Sequence, residues 1–156
     1  MDERAFETDG LHEAEPGPCV FCRIVAGEKD AQHIHADAET VSFLDHSPLF
    51  PGHVLVVPRS HYVTLPDLPP DLLAPLFGHA RQLARGMEEV LGMDGSFLAI
   101  NNRVSQSVRH LHVHVVPRRR GDGMKGFFWP RQNYADEIER EEIARLLREF
   151  MAANPG

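Results

Sequence analysis

The sequence predicts an α+β domain built on an antiparallel sheet. Three observations lead there. Four short apolar runs are bounded by Pro and Gly, one long segment repeats apolar residues at steps of three and four, and strands and helices do not alternate regularly. At 156 residues the chain can bury a substantial core, and 42% hydrophobic with 25% charged residues is ordinary for a globular protein. It contains no run of about 18 apolar residues that could span a membrane.

The first stretch, "MDERAFETDGLHEAEPGP", is acidic and lacks the apolar centre of a secretory signal. Residues 1–18 are therefore expected to be a mobile leader, and 19–156 a single domain that includes a C-terminal helix. Two cysteines are too few for a disulfide framework, so a cytoplasmic location is expected.

The elements follow in order. "CVFCRIVAGE" reads as a short helix ending near Gly27. "ETVSFLDH" and "GHVLVVPRSH" are β-branched runs and read as strands. Leu73, Leu76, Phe77, Ala80, Leu83, Ala84, Met87, Val90 and Leu91 paint one face of a long helix. Pro69 and Pro70 suit a first turn, but Pro75 moves the expected start towards itself. "GSFLAINN" and "HLHVHVVP" read as two more strands, and Ile138, Ile143, Leu146, Leu147 and Phe150 as a terminal amphipathic helix.

Charge is distributed unevenly. The net charge of −7 argues against a general nucleic-acid binder. Yet residues 101–131 hold Arg103, Arg109, Arg118, Arg119, Arg120, Lys125 and Arg131 against the single acid Asp122. That segment is net +6, which leaves the remainder at −13. It surrounds "RHLHVHVVPR". On a strand, side chains alternate between faces, so His110, His112 and His114 share one face while Leu111, Val113 and Val115 enter the core. His12, His33, His35 and His79 are isolated and read as solvated or packed.

Two chemistries suit three clustered imidazoles. They could share a catalytic metal with an open position, or one could act as a nucleophile with its tautomer fixed by neighbours. Just before the strand, Asn101, Asn102, Ser105, Gln106 and Ser107 supply neutral donors. A phosphoryl group developing charge needs such donors more than a hydrolytic metal does, which favours the nucleophile.

The stretch "QSVRHLHVH", from Gln106 to His114, resembles the histidine-triad nucleotide-binding and hydrolase family. "CVFCRIVAGE", "VSFLDHSPLFPGHVLVVPRSHYVTLPDL" and "NN…SQSV" extend the likeness from about Cys19 to Arg120. The resemblance implies a roughly five-stranded antiparallel sheet with two principal helices, paired in a two-fold homodimer. It makes His112 the nucleophile that attacks the α-phosphorus of a purine nucleotide, forming a nucleotidyl-imidazole that water cleaves to a nucleoside monophosphate. His114 would contact the phosphate, His53 would complete the imidazole cluster, and Gln106 and Ser107 would donate to the phosphate or leaving group. Asp45 matches the acid expected at the ribose, with Asn101 beside the nucleotide and Phe21, Ile24 and Phe43 as walls of the base pocket.

Two departures stand out. Ser105 sits where the family usually carries glycine, and the loop from Asn102 is about two residues short. "VPRRRGD" resembles the branch that hydrolyses dinucleoside polyphosphates, and "GFFWP" reads as a base cover or a dimer contact.

Cys19 and Cys22 form C-x₂-C without the βαβ context of a redox motif, and no second such pair exists to complete a zinc site. The resemblance supplies two further ligands, His61 and His110, for a structural Zn²⁺ that takes no part in the chemistry. The competing activities are nucleotidyl transfer to phosphate or a sugar phosphate, and nucleotide binding with little turnover. His114, where the uridylyltransferase branch carries glutamine, favours hydrolysis.

Overall fold

The computed structural model describes residues 19–124 and 132–154. The acidic leader, Lys125, Arg131 and "GFFWP" lie outside them. The chain divides after Arg120 into two compact units, and every candidate site residue lies in the first.

That unit runs α1 (Val20–Val25), β1 (His33–Ala36), β2 (Thr40–Leu44), β3 (Val54–Pro58), α2 (Leu73–Glu89), β4 (Gly95–Ala99) and β5 (Val113–Arg118). The five strands form one antiparallel sheet in the order β1-β2-β3-β5-β4. This is the expected sheet, and α1 falls within its expected bounds. The sequence pattern missed β1, because all four of its residues are exposed and no apolar face marks it. Helix α2 begins at Leu73 after a single 3₁₀ turn, Pro70–Leu72. Pro75 is therefore third in the helix, where a backbone N–H has no intrahelical acceptor to lose.

Both faces of the sheet are covered. On one, Val54, Val56, Leu111, Val113 and Val115 pack with Leu76, Ala80 and Met87 of α2. On the other, Val41, Phe43, Leu55 and Val57 pack with Phe21 and Ile24 of α1. Burying a strand on both sides explains why β3 reads as a continuous apolar run, whereas β2 buries Thr40 and Ser42 among its apolar residues.

The histidines depart from expectation in one respect. Regular pairing of β5 begins only at Val113, so His110 and His112 precede the strand. β3 ends at Pro58, and the backbone N–H of Leu111 donates instead to the Tyr62 carbonyl at 2.6 Å. The alternation nonetheless survives: Leu111, Val113 and Val115 enter the α2 core while Phe21 of the α1 side meets His110 and His112.

The second unit contains α3 (Glu137–Ala153). Asp136 caps it by accepting from the Glu139 N–H at 2.8 Å, and the Glu139 carboxylate accepts from the Ala135 N–H at 2.6 Å. Arg145 pairs with Glu142 and Glu149 along the exposed surface.

Candidate active site and metal centre

His112 is 3% exposed, and its protons can be placed by its partners. Nδ1 lies 2.7 Å from the His110 carbonyl oxygen. A carbonyl only accepts, so Nδ1 carries the hydrogen and Nε2 holds the lone pair. Among the described residues Nε2 has no hydrogen-bond partner, yet no buried side-chain nitrogen is left unsatisfied. Nε2 therefore reaches the surface of the site. Burial holds His112 below the ordinary imidazole range, against the raising effects of the His110 carbonyl and Asp45, so the neutral ring prevails at neutral pH.

A second chain of bonds orients His114. The hairpin between β2 and β3 sets Asp45 opposite His53, with the Asp45 N–H donating to the His53 carbonyl at 2.9 Å. Gly52, at φ +97°, makes the turn into His53 where an added Cβ would meet Pro117 at 3.3 Å. The Leu49 backbone N–H donates to His53 Nδ1 at 3.1 Å, which places the His53 hydrogen on Nε2. That Nε2–H donates to His114 Nδ1 at 3.0 Å, with the Asp45 carboxylate 3.7 Å away. His114 Nε2 must then carry hydrogen and is a donor. Burial first, then His112 and His53, push His114 down to about 4, so it donates as a neutral ring. His53 is also lowered, chiefly by burial.

Asp45, His53 and His114 bring three possible metal donors together. The Leu49 bond argues against that use, since a protonated Nε2 has no lone pair for an ion.

The cysteine cluster is different. Cys19 Sγ and Cys22 Sγ each lie 3.5 Å from His110 Nδ1, and Cys22 Sγ lies 3.3 Å from His61 Nδ1. Tetrahedral zinc with bonds of about 2.3 Å to sulfur and about 2.05 Å to nitrogen sets S and N about 3.6 Å apart. The four donors fit. His110 Nε2–H donates to the Pro58 carbonyl at 2.8 Å, which leaves the Nδ1 lone pair facing the thiols. Burial lowers His110 to about 4, and burial with the neighbouring Cys19 raises the Cys22 thiol to about 11. Among the described residues, then, His110, His112 and His114 do not converge on one metal. Each ring is turned to a different partner.

The loop before β5 departs from the expected donor array. Gln106 Nε2 donates to the Val63 carbonyl at 2.6 Å, and its Oε1 accepts from the Arg103 N–H at 2.8 Å. One amide hydrogen remains for a ligand. Ser107 is exposed, and Asn101 is half-buried. Asn102 Oδ1 accepts from the Leu65 N–H at 2.8 Å, pinning the loop to the turn after β3. Arg103 and Ser105 adopt left-handed backbone, at φ +69° and +57°.

The family model described as HIT domain matches residues 26–121, which contain the three histidines, His53, Asp45 and the loop. The chain belongs to the histidine-triad (HIT) family. An uncharacterised HIT-like protein of Mycobacterium tuberculosis is 39% identical over 86% of this chain and 94% of its own. The adenosine 5'-monophosphoramidase HNT1 of Saccharomyces cerevisiae is 30% identical over 88% of this chain and 84% of its own. A crystal structure of a Zn-bound histidine triad family protein from Mycobacterium smegmatis is 38% identical, with a TM-score of 0.66, over 86% of this chain and 97% of that one.

In this HIT protein Phe21, Ile24 and Phe43 are 6%, 6% and 3% exposed. They belong to one apolar cluster, and Phe21 stands edge-on to His110 and His112. A cavity of about 550 Å³ between α2 and the β1–β3 side of the sheet contains none of the candidate site residues. The features that sequence reasoning missed are main-chain groups: the Leu49 N–H and the carbonyls of Pro58, Val63 and His110. No side chain announces them. The prolines bounding "GHVLVVP" and the turn residues of "HSPLFPGH" are the nearest signal.

Proposed function

We propose that this HIT protein is a nucleotide hydrolase that acts through a covalent nucleotidyl-His112 intermediate. The observation that carries the reading is the His112 tautomer: Nδ1–H on the His110 carbonyl, with the Nε2 lone pair at the surface. Nε2 would attack the α-phosphorus of a purine nucleotide and form a P–N bond as the bond to the leaving group breaks. His114 Nε2–H would steady the non-bridging oxygens, helped by the Ser107 hydroxyl and the remaining Gln106 amide hydrogen. Water would then cleave the P–N bond, releasing a nucleoside monophosphate and restoring His112.

Asp45 is assigned to the ribose hydroxyls, Asn101 to the nucleotide, and Ile24 and Phe43 to the apolar side of the base, while Phe21 packs edge-on against His112 itself. Cys19, Cys22, His61 and His110 would hold a structural Zn²⁺, which supplies a cross-link and no step of the reaction. The relative's monophosphoramidase activity makes an adenosine phosphoramidate one substrate to test. The "VPRRRGD" flank makes a dinucleoside polyphosphate another, and an acyl-adenylate is the third. A cytoplasmic homodimer without nucleic-acid or membrane partners completes the reading. Among the described residues no helix is long and apolar enough to cross a membrane.

The test is acid-quenched mass spectrometry with these three substrates. A nucleotide-sized adduct is expected on the peptide containing His112, and His112→Asn should remove it and slow turnover at least about 1,000-fold. Turnover by His112→Asn near the wild-type rate would sink the reading. Added phosphate that appears in the product would convert it to nucleotidyl transfer.

A further inference from the structure

We propose that Phe21 is a positioning residue for His112, tying the cysteine turn of α1 to the nucleophile. The inference rests on His112 being that nucleophile. One hydrogen bond, from Nδ1 to the His110 carbonyl, leaves an imidazole free to tilt about that bond. Two rings close off the tilt. Phe21 stands 5.2 Å from the His112 ring at 86°, and His114 stands 4.8 Å away at 66°. Phe21 is itself held by Phe43, at 5.4 Å and 65°, and touches His110 at 6.0 Å.

A ring that is 6% exposed and bounded by Phe43, His110 and His112 has little surface left to stack on a base. Its main contact with the chemistry is the imidazole. Its own position depends on α1, a six-residue helix too short to persist without tertiary support. Cys19 and Cys22 flank Phe21 and face His61 and His110. The cysteine cluster thus reaches His112 by two routes: through the His110 carbonyl to Nδ1, and through Phe21 to the ring.

Phe21→Leu tests this, because it keeps an apolar side chain but removes the flat ring. Val25→Ala is the control, since Val25 lies on the same helix and packs on the same core. Two measurements are needed. Steady-state kinetics should show kcat lowered 10- to 100-fold with KM changed less than about 2-fold, the pattern of a misaimed nucleophile. Nitrogen-15 NMR of the nucleotide-free protein should show His112 moving from the Nδ1–H form to a mixture of tautomers. Val25→Ala should show neither change. A raised KM with unchanged kcat would make Phe21 a base wall and overturn the proposal. Unaltered His112 signals in Phe21→Leu, or an equal loss in Val25→Ala, would overturn it as well. If the wild type turns over no nucleotide, the proposed function fails, and the NMR result alone decides the role of Phe21.

Discussion

Ser105 is a residue whose backbone disagrees with its side chain. At φ +57° it occupies the left-handed region, which costs an L-residue roughly 1–2 kcal/mol and glycine almost nothing. Glycine loses more chain entropy on folding, so Ser105→Gly should gain about 0.5–1 kcal/mol, or about 1–4 °C in Tm. Thermal denaturation with no gain would show the loop to be relaxed as it stands. The sequence marked this position through its departure from the family pattern, but it did not reveal the second left-handed residue, Arg103. Gln106 carries a similar lesson. Its place in "QSVRHLHVH" suggested a phosphate donor, yet two of its hydrogen-bonding capacities are used inside the loop, on Val63 and Arg103. Gln106→Ala should therefore loosen the loop as well as weaken phosphate contact. Faster amide exchange at Arg103, together with slower nucleotidylation, would register both effects. Residue type was legible at these positions; the direction of each hydrogen bond was not.

At the scale of elements, His79 joins α2 to β2. It bonds Thr40 Oγ1 at 2.7 Å through Nδ1 and Ser42 Oγ at 2.9 Å through Nε2. Burial lowers its pKa, and nearby His35 adds to that, while Asp37 opposes it. The unfolded chain, with an imidazole near 6.5, therefore takes up a proton before the folded one does. The stability linked to His79 is complete above about pH 6.5 and is lost as pH falls through the lowered folded value. Denaturant melts of His79→Gln should be weaker than wild type at pH 8, with a pH slope between 6.5 and 5 shallower by up to about 1.4 kcal/mol per pH unit. Equal slopes would mean that His79 does not titrate differently on folding. Periodicity identified α2, and apolar runs placed β2, β3 and β4 closely. β1 has none, and β5 proved shorter than its alternating pattern, since alternation of side chains can continue after ladder pairing stops at Val113.

For the whole molecule, the cysteine cluster is the widest tie in the first unit. Its side chains come from the α1 turn, the segment after β3 and the entry to β5. The sequence displayed the C-x₂-C, but nothing in its spacing selected His61 from the other histidines; the resemblance named it, and the fold brings that ring within 3.3 Å of Cys22. Protein purified with zinc should contain one Zn²⁺ per chain by elemental analysis, and Cys22→Ser should lose it. Chelation should lower Tm by roughly 10 °C, while nucleotidylation persists until the fold melts. Activity lost at once on chelation, with Tm unchanged, would return the metal to the chemistry.

The distance between Cys19 and His110 along the chain, 91 positions, also sets an order of assembly. A ribosome exposes the thiol pair early and the imidazole that completes it late, after β4 has emerged. Until then the thiols can find only one of their two histidine partners. The nascent protein therefore carries an incomplete donor cluster, and His112 arrives with the same few residues that complete it.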